Sequence, residues 1–148
     1  MQRVGFIGLG TMGRHMAKNI AKAGFPLSIY ARRDDAAREF VEAGATRATT
    51  PAELARQCDI VVSIVTADQQ VREIVGGEHG LATGLSKGKL WLDMSTIGPA
   101  TVREVGEKVA ATGARMIDAP VSGGPWGAEA GTLAIMCGGD AVDYERAL

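Results

Sequence analysis

The chain has 148 residues, of which 46% are hydrophobic and 22% charged, and 16 Lys and Arg against 17 Asp and Glu leave a formal net charge of -1. That is the length of one domain, able to remove roughly 70% of its unfolded surface from water. Without a basic excess it does not read as a nucleic-acid binder, and with apolar runs as short as Ile60 to Val65 it holds no bilayer-spanning segment and no signal-peptide pattern, so a cytoplasmic protein is expected.

The first apolar run, Arg3 to Gly8, is predicted to be a strand. It leads into Gly8, Gly10 and Gly13, and then into a helical pattern from Thr11 to Ala23 in which Met12, Met16 and Ile20 recur every four residues on one face. Gly24 and Pro26 end that helix. Further strands are expected at Leu27 to Ala31, Ala45 to Ala48, Asp59 to Val65, Leu90 to Met94, Arg115 to Ala119 and Leu133 to Cys137. Their Val and Ile content, without strict polar alternation, fits buried parallel strands. Between them, helices are predicted to begin at Asp34, at Pro51 with Thr50 as N-cap, near Asp68 and at Pro99. A last helix begins at Asp140 and reaches Leu148 with no terminator. Strand and helix alternating in this way give an α/β fold, a doubly wound, mostly parallel sheet of Rossmann type with helices on both faces. Ligands of such sheets bind beyond the carboxyl ends of the strands.

The segment Gly8-Leu9-Gly10-Thr11-Met12-Gly13 spells G-x-G-x-x-G between a strand and a helix, the context that makes this motif a dinucleotide-binding turn. The first glycine permits the tight turn, the second lets a pyrophosphate approach the backbone, and the third lets helix and strand pack closely. Unpaired N–H groups and the helix dipole would favour the anion. An acidic residue at the end of the second strand would select NAD, but the sequence there is Ala31-Arg32-Arg33. A guanidinium can clasp a phosphate and stack on adenine, so NADP is expected over NAD, through Arg32 aided by Arg33. The other reading of these arginines is a pair of solvated charges beside Asp34 and Asp35.

GFIGLGTMGRHMAKNI resembles the N-terminal signature of the β-hydroxyacid dehydrogenase family, which includes 3-hydroxyisobutyrate dehydrogenases and tartronate semialdehyde reductases. DMSTIGP, DAPVSGG and AEAGTLAIMCGG agree as well, in order, so the resemblance spans nearly the whole chain. It implies a hydride transfer between NADP(H) and a small 3-hydroxy acid or its semialdehyde. It implies that Val65, Thr66 and Thr96 lie along the nucleotide toward the nicotinamide, and that Ser122, Gly123 and Gly124 hold the carboxylate of a small substrate. The last assignment has its own physical basis: Pro120 stiffens the strand exit, two glycines free the backbone to form an anion-binding concavity, and a serine adds a donor. Ala67 departs from the asparagine or aspartate common in relatives. The family's catalytic lysine and a neighbouring asparagine belong to a C-terminal all-helical domain, and Lys87, Lys89 and Lys108 match nothing in that motif, so no catalytic residue is expected within these 148 residues. An NADPH-dependent imine reductase-like domain and a non-catalytic nucleotide-binding module are the alternatives.

Asp93 and Asp118, at strand ends, are expected to cap turns or orient loops. Trp126 is expected under a loop or closing over a substrate, and Cys58 and Cys137, which form no metal or disulfide pattern, as buried small hydrophobes. His15 and His79 are expected toward solvent or capping a loop, with no catalytic part. A homodimer is expected from the apolar surface left where relatives continue into the helical domain.

Overall fold

The computed structural model describes residues 1–148. Six strands, β1 (Val4–Ile7), β2 (Leu27–Tyr30), β3 (Thr46–Arg47), β4 (Ile60–Ser63), β5 (Leu90–Asp93) and β6 (Arg115–Asp118), form one sheet in the order β3-β2-β1-β4-β5-β6. All its pairings are parallel. The chain runs outward from β1 through β2 to β3, then crosses back and runs outward the other way from β4. β1 and β4 are therefore neighbours, with Val4 opposite Ile60 and Ile7 opposite Ser63. Helices leave these two strands on opposite faces, which opens a crevice at their carboxyl ends.

The buried runs fill two cores, one on each face, because successive side chains of a strand point to opposite sides. Phe6, Ile29, Val62, Leu90 and Ile117 meet Met16 and Ala17 of α1 (Gly13–Lys22), Phe40 of α2 (Asp34–Glu42) and Ala128 of α7 (Gly124–Ala130). Ile7, Val61 and Trp91 meet Leu54 of α3 (Pro51–Gln57), Val71 and Val75 of α4 (Asp68–Val75), Leu81 of α5 (Leu81–Gly84), and Val105 and Val109 of α6 (Pro99–Ala110). α8 (Ala141–Ala147) lies beside β6. Met12 and Ile20 pack against the first core, as their spacing predicts. At α3 the predicted cap is in place: Thr50 Oγ1 accepts from the Glu53 N–H at 3.0 Å.

Several expectations are corrected. α1 begins at Gly13 rather than Thr11, which leaves the motif from Gly8 to Met12 as a turn ahead of it. The predicted strand Leu133 to Cys137 shrinks to β8 (Ala134–Ile135), which pairs antiparallel with β7 (Val121–Ser122) outside the main sheet. The intervening segment forms α7, a helix of 7 residues and about 10 Å that ends at Gly131 with φ 72°. So short a helix does not carry the chain back across the sheet, and the turn at Gly131 returns it alongside β7. Cys58 is buried as expected, but Cys137, just past this short strand, is exposed. Trp126 is 81% exposed and packs under no loop, because it lies on the outer side of α7 while Gly127 and Ala128 face inward.

Candidate functional site

The turn after β1 forms the floor of the crevice. Gly8 has φ 101°, and a Cβ on it would lie 1.9 Å from the Ile64 carbonyl oxygen. A Cβ on Gly13 would lie 1.7 Å from the Gly8 oxygen and 2.9 Å from Ile64 Cγ2. The first is glycine because of its positive φ and the close Ile64 carbonyl, and the last because the start of α1 packs tightly on the Gly8 carbonyl and on Ile64 beyond β4. Gly10 differs: its φ is not positive, and a Cβ there would meet no atom within 4 Å. Nothing within the protein demands a bare backbone at Gly10.

The N–H groups of Leu9, Gly10, Thr11 and Met12 make no backbone hydrogen bond. No side chain caps the start of α1, and its first turn has no acidic residue. These donors lie just ahead of an electropositive helix terminus and have no protein acceptor, which suits them to an anion.

Two clefts with Gly8 and Val65 as common walls lie at this turn. One, of about 340 Å³, is walled by Gly8, Leu9, Ala31, Arg32, Arg33 and Val65, together with Tyr30 of β2 and Gln70, Glu73 and Ile74 of α4. The other, of about 370 Å³, is walled by Gly8, Gly10, Thr11, Met12, Gly13, Val65, Thr66 and Thr96, with Met94 and Val121. Every residue expected to hold the cofactor thus borders one or both of two clefts that share Gly8 and Val65 as walls. Ser122, Gly123 and Gly124 do not wall it; they follow Val121, which does. Gly123 and Gly124 have φ 137° and 64°, so both use backbone conformations that other residues rarely adopt.

The far side of the groove is held by side chains. Val65 donates its N–H to Ser95 Oγ at 2.9 Å, and Ser95 Oγ donates to Asp93 Oδ1 at 2.8 Å. Ser63 Oγ also donates to Asp93 Oδ1, at 3.0 Å, and receives the Trp91 indole N–H at 2.9 Å. This buried relay ties the ends of β4 and β5 together. Asp93 therefore orients loops, as expected, while its Oδ2 is buried with no hydrogen-bond partner. Burial pushes the Asp93 carboxyl above its ordinary range against the pull of those hydroxyls, and burial alone pushes Asp118 up. Asp118 holds its loop through the main chain, exchanging N–H and carbonyl bonds with Gly138 at 3.0 and 2.7 Å. Thr66 donates its N–H and hydroxyl to Gln70 Oε1 at 2.8 and 2.6 Å. Asp68 accepts from Gly98 N and Thr101 Oγ1, which joins the start of α4 to the start of α6 and holds its carboxyl below the usual range.

Of the arginines near the end of β2, Arg33 is bound through two hydrogen bonds to Asp35, at 3.0 and 2.7 Å. Arg32 reaches across the cleft to Glu73, with 3.6 Å between Nη2 and Oε2. Gln70, Glu73 and Ile74 were missed by sequence reading. Their signal was available: positions 70, 73 and 74 share one helical face, and α4 follows the strand that flanks the crevice.

The strand order, the turn after β1 and the open crevice define a Rossmann-type domain. A family model described as the NAD binding domain of 6-phosphogluconate dehydrogenase matches residues 3–148. The chain belongs to the β-hydroxyacid dehydrogenase family, as an N-terminal NAD-binding domain. It is 44% identical over 144 residues to a probable mitochondrial 3-hydroxyisobutyrate dehydrogenase of Dictyostelium discoideum, a match covering 97% of this chain and 45% of that protein. It is 40% identical over 147 residues to an NAD-dependent L-serine dehydrogenase of Pseudomonas aeruginosa, covering 99% of this chain and 49% of that protein. Among solved structures, Psf3 in complex with NADP+ and 2-OPP superposes with a TM-score of 0.91 at 30% identity, covering 97% of this chain and 51% of that one. The chain spans about half the length of these relatives. No helix is long and apolar enough to cross a membrane.

Proposed function

We propose that the groove binds a nicotinamide dinucleotide with its pyrophosphate on the Gly8–Gly13 turn, that NADP(H) is preferred over NAD(H), and that the domain serves an oxidoreductase acting on a small 3-hydroxy acid or its semialdehyde. Gly10 is the observation that carries the reading. It is bare without internal cause, and it sits among four unengaged N–H groups. One relative named above is NAD-dependent and one solved neighbour holds NADP+, so the preference for the phosphorylated coenzyme rests on the end of β2, where Arg32 stands in place of a carboxylate.

When bound, the coenzyme supplies the hydride chemistry. The chain's own residues bind and align. The turn's amides hold the anion; Val65, fixed by Ser95, and Thr66, fixed by Gln70, line the path toward Thr96. Ser122, with the backbone of Gly123 and Gly124, offers donors to a substrate carboxylate beside that end. The cleft around Thr96 and Val121 is walled by no carboxylate, imidazole or amine. A positioned acid or base is worth about 10²- to 10⁴-fold in rate, so this 148-residue chain by itself is expected to bind coenzyme yet turn over slowly. A homodimer is part of the same proposal. Trp126, Ile135, Met136, Tyr144 and Leu148 are exposed, and burying such side chains favours association.

Calorimetric titration with NADPH and with NADH tests the reading. Tighter uptake of NADPH, weakened by Arg32→Ala, is expected. Uptake of neither coenzyme would refute the site, and tighter uptake of NADH would refute the preference. Reduction of a small semialdehyde by this chain at ordinary dehydrogenase rates would refute the absence of proton transfer. A single monomeric species in sedimentation would remove the dimer.

A further inference from the structure

The cleft at the end of β2 has a second bank. There α4 presents Gln70, Glu73 and Ile74, facing Arg32 and Arg33. The ion pairs across and beside this cleft are unequal. Arg33 is engaged by Asp35 on its own bank, and Arg47 by Asp34 at 2.6 Å and by the Ala31 carbonyl at 3.1 Å. Both have short partners away from the opening. Arg32 alone spans the cleft, and its contact with Glu73 is a single one at 3.6 Å between exposed side chains. The other Glu73 oxygen has only a 3.4 Å contact from Gln69 Nε2. This carboxylate is therefore held loosely, against the guanidinium whose carboxylate partner is the most distant of the three.

We propose that Glu73 is a specificity-determining residue, which competes with the 2′-phosphate of the coenzyme for Arg32 and so limits the preference for NADP(H). The inference rests on the reading above that Arg32 is the phosphate partner. A phosphate monoester carries about −1.5 to −2 charges at pH 7, and a bidentate grip on it needs the guanidinium fork that Glu73 touches. Binding the phosphorylated coenzyme separates Arg32 from Glu73 and brings two anions to one cleft. A ribose hydroxyl is neutral, is not repelled, and can donate a hydrogen bond to a carboxylate. Glu73 thus weakens NADPH binding and leaves NADH binding nearly untouched. Its distance of 41 positions from Arg32 in the chain hides this pairing from any local reading of the β2 terminus.

The test is titration of the purified chain, its Glu73→Gln variant, and both again with Arg32→Ala, using NADPH and NADH at low salt. Glu73→Gln keeps the size and helix propensity of an exposed position, so the variant is expected to fold, and thermal unfolding checks this. NADPH should bind about two- to five-fold more tightly to Glu73→Gln, with NADH changed by less than about two-fold, and the gain should disappear when Arg32 is alanine. A ratio of affinities that does not move, weaker NADPH binding, or a full gain without Arg32 would each overturn the inference. If Arg32→Ala weakens NADPH but Glu73→Gln shifts nothing, the inference alone fails and the cofactor reading stands. If Arg32→Ala leaves NADPH unaffected, or neither coenzyme binds, the cofactor reading fails and the inference falls with it.

Discussion

Placing alanine at each glycine of the turn separates what the fold needs from what a ligand needs. At Gly8, alanine must hold φ near 101°, a conformation costing roughly 1–2 kcal/mol for a residue with a Cβ, and that Cβ overlaps the Ile64 carbonyl oxygen at 1.9 Å. Overpacking of this kind adds about 1–3 kcal/mol, so Gly8→Ala should lose about 2–5 kcal/mol, a large part of the ~5–15 kcal/mol a domain has. Gly13→Ala meets the Gly8 carbonyl oxygen at 1.7 Å and should lose about 1–3 kcal/mol. Gly10→Ala meets nothing within 4 Å and needs no positive φ. Its stability should stay within about 1 kcal/mol of the parent, on the gaining side if the unfolded chain loses freedom. Its methyl group would stand where the pyrophosphate is proposed to approach, and a clash of about 1–3 kcal/mol corresponds to roughly 5- to 150-fold weaker binding. Urea denaturation gives the stabilities and calorimetry with NADPH gives the affinity. A Gly10→Ala variant that binds within two-fold of the parent would refute the assignment of the site. A Gly8→Ala variant as stable as the parent would refute the account of the turn.

Asp93→Asn should flatten the pH dependence of stability. Burial raises the folded-state pKa of Asp93, so above about pH 4, where the unfolded chain loses its proton, the native chain still holds one. Stability therefore falls as pH rises through that window, and the asparagine variant should lack this slope, apart from the share due to Asp118; urea midpoints measured from pH 4 to 7 that decline as steeply in the variant would contradict it. Thr50→Ala removes the acceptor for the Glu53 N–H and should cost about 1 kcal/mol by the same assay, against no change if the cap is idle. Asn19→Ala removes the 2.8 Å hydrogen bond from Nδ2 to the Ala128 carbonyl, which ties α1 to the end of α7, and a loss of about 1 kcal/mol is expected; a change under about 0.3 kcal/mol would mean that water replaces the amide.

Neighbours along the chain determined the scaffold. VGFI and IVVS are apolar without alternation because both of their faces are covered, and that condition can be read from four consecutive residues. The positive φ at Gly8 and the cap at Thr50 are equally local, since a backbone conformation or a side-chain bond to the third residue on involves no distant partner, whereas the close approach of Ile64 to Gly8 and Gly13 comes from the packing of the sheet. What tertiary structure decided involves residues far apart. Leu133 to Cys137 has a strand's composition, yet the length of α7 and the turn at Gly131 placed it beside Val121 instead of in the main sheet. The same packing turned outward Cys137, expected to be buried, and Trp126, expected under a loop or over a substrate. Arg32 faces Glu73 only because β4 crosses back to lie against β1, and Ser95 reaches Val65 because β5 pairs with β4. The sequence by itself thus determined the segments and the bare turn, whose conformations depend on local sterics and burial. The groove's far bank came from the order of the strands in the sheet, a choice made by contacts between elements that no single stretch of chain contains.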